Sequence, residues 1–384
     1  MSAARPTRIA VIGVHGYGAA HVLRAQELHA EGRAELVGLV DPLDGPVVRE
    51  GRRVEGDLPP IVPTIDVLLA ETEVDVVVVA TPLHTHGELA ARALRAGADV
   101  LLEKPPVTDL AAFRRLAEVQ YETGRMVQVG FQSLGSLALA ELQAAIARGE
   151  LGTIEAIGAA GSWTRDRAYW TRSPWAGRRE LNGVRVSDGA VSNPFAHAVM
   201  TSLSIAGWHD PRAVARVETD LHRVNAIDVD DTSALRVHPT EQGASTFDGV
   251  LTCAFTLAGP REDDPFVTVR GSRGTAVLHY TRDRLTMPDG VTRDFGRIDL
   301  MDNLIDARDE GAELLSPLDR TGGFVSVIES VAAASVHPVP SSAVEWLGES
   351  LETRPVLDGV VTAIDRAIAE ERLFSELDVA SWAR

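Results

Sequence analysis

The segment that most constrains this chain is residues 7–18. An apolar run from Thr7 ends at Gly13, and the turn Gly13-Val-His-Gly-Tyr-Gly18 leads straight into Val22, Ala25 and Leu28 at helical spacing. A buried strand that turns on glycine into a helix opens a parallel strand–helix–strand unit. The rhythm then repeats. Residues 35–40, 75–81, 100–103 and 126–131 read as strands, and 19–30, 65–70, 86–96 and 108–122 as helices. Residues 42–63, rich in Pro and Gly, read as a long loop. Alternation of this kind predicts an α/β fold with a doubly wound parallel sheet over residues 1–131.

The rhythm changes after residue 131. Residues 137–148 read as a helix and 154–162 as a strand, while 163–190 look irregular and dense in Trp, Tyr, Arg and Gly. A helix over 193–205 is followed by strand-like runs at 214–221, 233–237, 249–257, 266–270 and 275–280. With few helices between them, these predict a large, mostly antiparallel open sheet. Helices return at 300–309, 323–334 and 360–371. The predicted organisation is a nucleotide domain over 1–131 and an α+β domain over 132–384. The terminal helices, 350–384, are expected to pack back on the first domain.

Composition narrows the partners. With 37 basic against 55 acidic residues the net charge is −18, which disfavours nucleic acid and anionic membrane surfaces. The single cysteine, Cys253, excludes an internal disulfide and any four-cysteine metal site. No metal is expected. No leader or spanning segment is visible, so the expected location is cytoplasmic. Of the 37 basic residues 36 are Arg, and Lys104 is the lone Lys. Codon bias accounts for the arginines but not for the exception. A lysine can give up its proton when buried and an arginine cannot, so Lys104 is a candidate for proton chemistry.

Four motifs carry the candidate chemistry. In the dinucleotide fingerprint, glycines stand at the first, third and sixth positions. Here Gly13 and Gly18 keep the outer two, His15 stands at the middle one, and Gly16 follows it, then Tyr17. Asp41, 23 residues after Gly18, ends the second strand, where a carboxylate can bind ribose hydroxyls and repel a 2′-phosphate. The expected cofactor is therefore NAD, with NADP as the alternative. In Ala80-Thr-Pro-Leu-His-Thr-His86, Thr81, Pro82, His84 and His86 leave a strand at its carboxyl end, where open α/β sheets bind ligands. The two histidines read either as cleft residues or as surface and capping ones. Glu103-Lys104-Pro-Pro leaves the next strand at the same end. In Asn193-Pro-Phe-Ala-His197, the two polar residues read either as a catalytic pair or as a helix cap and a helix histidine. Within the irregular run, Trp163, Arg165, Tyr169 and Trp175 could line a sugar-binding surface, or the aromatics could pin the loop to the sheet.

Together GVHGYG, ATPLHTH, EKP, the Gly130-Phe-Gln132 strand end and the helix from His197 to Gly207 resemble the Gfo/Idh/MocA family of NAD(P)-dependent oxidoreductases. The resemblance covers nearly the whole chain. It implies a Rossmann domain followed by an α/β domain whose open sheet mediates a homo-oligomer, a dimer or tetramer. It implies a sugar, polyol or sugar derivative as substrate, with hydride passing between a carbinol carbon and nicotinamide. It assigns catalysis to Lys104 and His197, and cofactor contacts to Thr81, Pro82, Glu103 and Gln132. Asn193 stands where the family has Asp, with Asp188 close by in sequence. Two other readings stay open. One is an NAD-using lyase or glycosidase of the same fold, and the other a non-catalytic ligand sensor.

Overall fold

The structure is a computed structural model describing residues 5–240 and 247–383. The chain divides into two units, one of residues 1–107, 111–130 and 299–318, the other of 108–110, 131–298 and 319–384.

In the first unit the strands are β1 (Thr7–Ile12), β2 (Ala34–Val40), β3 (Ile61–Val62), β4 (Val76–Val79), β5 (Asp99–Leu102) and β6 (Val127–Val129). They form a sheet in the order β3-β2-β1-β4-β5-β6, parallel throughout. Helices α1 (Gly18–Ala30), α2 (Ile65–Glu71), α3 (His86–Arg95) and α4 (Leu110–Thr123) make the crossovers. Val76 to Val79 are fully buried, as expected of a strand covered on both faces. The strand order reverses between β1 and β4, which fixes the ligand crevice at their carboxyl ends.

Helix α8 (Leu300–Glu310) belongs to this unit, although it lies far beyond the expected boundary at residue 131. The reason is packing. Leu300, Met301, Leu304 and Ile305 join Ile9, Val11, Val22 and Val78 in one apolar cluster. Arg308 pairs with Asp75 at 3.0 Å and Asp99 at 2.7 Å, and Arg24 with Asp302 at 2.7 Å. Gln128 Nε2 donates to Asn303 Oδ1 at 2.6 Å. The residues read as a long loop, 42–63, include β3, which closes one edge of the sheet.

The second unit is built on α5 (Leu137–Ala147), β7 (Ile154–Thr164), α6 (Arg167–Thr171), α7 (Ala196–Ala206), β8 (Val214–Arg223), β9 (Thr232–Pro239), β10 (Leu251–Thr256), β11 (Ala258–Gly271), β12 (Gly274–His279), β13 (Arg284–Thr286) and β14 (Thr292–Asp294). After these come α9 (Gly322–Ala333), β15 (Val336–Pro338) and α10 (Val360–Glu370). The nine-stranded order is β14-β13-β12-β11-β7-β10-β9-β8-β15. Pairing is antiparallel except at β7–β10 and β8–β15.

Both faces of the central strands are covered. A Cβ on Gly161 of β7 would lie 2.4 Å from the Phe195 ring at the start of α7, and one on Gly158 would lie 2.5 Å from Ile368 of α10. Positions three apart on a strand point to opposite faces, so α7 and α10 sandwich the sheet. Small residues permit the close approach of α10. Gly158, Ala160, Ala234 and Ala254 meet Ala363, Ile364 and Ala367, and Leu357, Phe374, Leu377 and Trp382 complete the cluster.

The expected packing of the terminal helices, residues 350–384, on the first domain is corrected: they group with the second unit, and their apolar residues pack on that unit's own sheet. Among the described residues, no helix is long and apolar enough to cross a membrane.

Candidate functional site

The candidate residues fall into two sets, one in each unit. Gly13, His15, Gly16, Tyr17, Gly18, Asp41, Thr81, Pro82, His84, His86, Glu103 and Lys104 belong to the first. Gln132, Trp163, Arg165, Tyr169, Trp175, Asn193 and His197 belong to the second.

In the first unit, parallel strands β1, β4 and β5 are neighbours, so the segments that leave them form one row. Gly13 has φ +84°, and a Cβ there would lie 2.6 Å from the Ala80 carbonyl oxygen. A Cβ at Gly18 would lie 1.9 Å from the Gly13 oxygen. Only glycine allows strand, turn and helix to sit this close. Tyr17 occupies the cap position of α1 without a side-chain cap. The Ala19 and Ala20 amides turn back onto the Gly16 and Tyr17 carbonyls at 3.3 and 2.9 Å, and a helix N-terminus after a glycine turn is where a pyrophosphate binds.

Asp41 is 7% exposed. Its Oδ1 accepts from the Leu43 amide at 3.0 Å, and its Oδ2 from the His15 amide at 3.3 Å. The His15 imidazole Nδ1 lies 3.1 Å from the same Oδ2. His15, at the fingerprint's middle position, thus lies against the carboxylate that would read the ribose. A 2′-phosphate there would face a fixed negative charge. We expect NAD to bind more tightly than NADP, and Asp41→Ala to erase the preference. Titration of both nucleotides into wild type and variant checks this, and equal wild-type affinities would reject the role of Asp41.

Around Thr81 the structure revises one assignment. Pro82 and His84 are exposed, and Thr81 Oγ1 lies 2.6 Å from Thr85 Oγ1. His86 is 2% exposed. Its Nδ1 lies 2.8 Å from the Pro105 carbonyl and its Nε2 2.8 Å from the Thr81 carbonyl. Both ring nitrogens face protein carbonyls, and the neutral ring donates to only one of them, so His86 lies between two strand-end loops rather than offering a nitrogen to cofactor.

Burial holds the His86 imidazolium below its ordinary range, although the two carbonyls favour it. The folded state therefore takes up this proton less readily than the unfolded chain. Stability contributed by His86 is present above about pH 6.5, the unfolded value, and is lost as pH falls below it. Thermal melting at pH 7.5 and 5.5 should show a smaller acid-induced drop in His86→Gln than in wild type. An identical drop would reject this.

Glu103, 7% exposed, receives Nε2 of His21 at 2.8 Å and the Lys104 amide at 3.2 Å. His21 was not among the sequence candidates. Its signal was its place on the buried stripe of α1, where His21, Ala25 and Leu28 follow at helical spacing. Tyr17 packs edge-on to it at 5.6 Å. Lys104 follows directly, half-buried, at the carboxyl end of β5.

In the second unit, α7 begins at Ala196, with Phe195 in the cap position. Asn193 is therefore not the helix cap. It lies in the preceding turn, with its amide on the Gly189 carbonyl at 3.1 Å. Its Nδ2 donates to Asp188 Oδ1 at 2.7 Å. Asp188, 3% exposed, also accepts from Arg172 at 2.8 Å and from the Gly177 amide at 3.0 Å. His197 lies in the first turn of α7, edge-on to Phe131 at 5.8 Å and 6.5 Å from the Tyr280 ring. Gln132 opens a short 3₁₀ turn, Gln132–Gly135.

The run read as irregular is an ordered ladder. Trp163 stacks on Phe195 at 4.9 Å, and Phe195 on Phe255 at 4.7 Å. Arg165 lies over Trp163 and Tyr169, and Arg172 over Tyr169 and Trp175. Burial, and then the Asp188 charge, pushes the Tyr169 phenol up to about 12. The aromatics pin the run to the sheet, and all four residues keep partly exposed edges. Among the described residues there is no group of three or more His, Cys, Asp or Glu placed to hold a metal ion.

Residues 7–131 match the model of the GFO_IDH_MocA "Oxidoreductase family, NAD-binding Rossmann fold". An inositol 2-dehydrogenase of Mycolicibacterium gilvum is 32% identical over 148 residues, which are 38% of this chain and 41% of that protein. One from Pseudarthrobacter chlorophenolicus is 31% identical over 232 residues, 56% of this chain and 64% of that protein. The chain thus spans about two fifths of the length of the first of these relatives. The WlbA dehydrogenase of Bordetella pertussis, solved with NADH and UDP-GlcNAcA, superposes with a TM-score of 0.66 at 21% identity. The match covers 85% of this chain and 95% of that one. The two-unit fold is therefore shared with that dehydrogenase.

Proposed function

We propose that the protein is an NAD-dependent oxidoreductase acting on a CH–OH group of a sugar, polyol or sugar derivative. The observation that carries this reading is the row of strand ends in the first unit. The glycine turn after β1, Thr81 after β4 and Lys104 after β5 leave adjacent parallel strands at one edge of the sheet. NAD, when bound, supplies the hydride acceptor. The glycine turn and the start of α1 would hold its pyrophosphate, and Asp41 its ribose. Lys104 and His197 handle the hydroxyl proton as the carbinol is oxidised, and Asn193 orients the group that takes it. The partly exposed edges of Trp163, Arg165, Tyr169 and Trp175 serve as substrate wall. The similarity to inositol 2-dehydrogenases and to a dehydrogenase solved with UDP-GlcNAcA supports hydroxyl-rich rings as substrates. A cytoplasmic setting suits a fold whose single cysteine is buried and unpaired. The reading includes a homo-oligomer, a dimer or tetramer, formed through the second unit's sheet.

The test is turnover of inositols, UDP-sugars and glycosides with NAD, following absorbance and products together. Net NADH is the expected result. Product without NADH would favour the lyase or glycosidase reading, and binding without turnover the sensor.

A further inference from the structure

The site lacks a carboxylate at 193, yet one lies a hydrogen bond away. A carboxylate has no proton to donate, so the end of Asn193 that faces Asp188 at 2.7 Å is its nitrogen. That settles the amide's polarity. With the donor end on Asp188, the end that Asn193 presents elsewhere is an oxygen, the same acceptor that an aspartate would present. We propose that Asp188 is a positioning residue: it holds the Asn193 amide so that its oxygen serves the reacting groups as a fixed hydrogen-bond acceptor. This rests on the oxidoreductase reading for its catalytic meaning, but the polarity itself does not.

The surroundings are built to keep Asp188 in place. It is 3% exposed, and its Oδ2 takes the Arg172 guanidinium and the Gly177 amide. Arg172 is itself clasped between the rings of Tyr169, 3.9 Å away, and Trp175, 4.7 Å away. A paired guanidinium and a backbone amide offset the cost of burying the carboxylate. The aromatic–arginine ladder therefore ends, through Asp188, on the residue four before His197. Its order fixes an acceptor, in addition to any wall it forms for substrate.

Three variants test this. In Asp188→Asn, one amide oxygen must serve three donors, namely Arg172, the Gly177 amide and Asn193. The Asn193 amide then loses its fixed polarity. In Asn193→Asp, two carboxylates face each other and repel unless they share a proton. In Asp188→Asn/Asn193→Asp the polarity is exchanged: the new amide at 188 donates to the new carboxylate, which still offers an oxygen to the site. We expect Asp188→Asn to lower kcat by about tenfold or more with NAD affinity unchanged. We expect the double variant to recover most of that loss.

Melting temperature gives a second, activity-independent readout. At pH 8 Asn193→Asp should melt below wild type, and the double variant should melt above Asn193→Asp. A double variant no better than Asp188→Asn in turnover, or an Asn193→Asp that melts like wild type at pH 8, would overturn the proposal. If no substrate in the panel is turned over, the oxidoreductase reading fails. The melting comparison still decides whether Asp188 sets the polarity of Asn193.

Discussion

Lys104→Arg should fold, bind NAD and lose turnover by about 10²-fold or more, the contribution typical of a positioned acid–base group. Lys104 leaves β5 at its carboxyl end, beside the segments that leave β4 and β1, and its amide is held by the Glu103 carboxylate. It is the one lysine among 37 basic residues. An ammonium can donate to a substrate oxygen and, when partly desolvated, release its proton near neutral pH. A guanidinium keeps the charge but holds its proton at any working pH and needs more room. Measuring kcat beside NAD affinity and thermal melting separates these effects. A variant that melts normally and turns over like wild type would make Lys104 a turn residue and remove the main support for the catalytic assignment.

Phe374→Ala should destabilise the second unit by about 3–5 kcal/mol, the usual range for deleting a buried phenyl ring. For a unit of this size that is a fall of roughly 10 °C in its melting transition. Phe374 is fully buried, packs on Trp382 at 5.2 Å and belongs to the cluster that covers Ala160, Ala234 and Ala254. A tail lying loosely on the surface would lose less than about 0.5 kcal/mol. Calorimetry distinguishes the two, and an unchanged transition would mean that residues 357–383 add nothing to the core. The expected size reflects how little else could cover those strands. Gly and Ala on the sheet bury small areas individually, so the larger side chains of the C-terminal segment supply most of the contact.

Much of the site's first half was legible because its signals are local. A glycine with positive φ, an apolar run buried on both faces, and a carboxylate at a strand end each write a short pattern into the chain. Gly13, Asp41 and Lys104 all stand where that pattern put them, at the carboxyl ends of their strands. His21 was missed because nothing near it in sequence names Glu103, 82 residues away, as its partner. His86 was misread for the same reason. Its two partners are carbonyls, which no side-chain pattern reveals. Asn193 looked like a cap because Asn before a helix suits one. In the structure its side-chain nitrogen is bound to Asp188 instead, and α7 starts three residues later.

The sequence by itself determined the alternation of strands and helices, the place of the glycine turn, the antiparallel character of the second sheet and the lone lysine. These follow from periodicity and backbone sterics, which act over a few residues. Only the tertiary structure decided that α8 joins the first unit, that α10 covers the second sheet, and that Asn193 bonds Asp188. Each is a choice of partner. An amphipathic helix declares that it will bury a face but not against which sheet, and a carboxylate declares that it needs donors but not which ones. Those choices depend on which surfaces remain uncovered once the whole chain has folded.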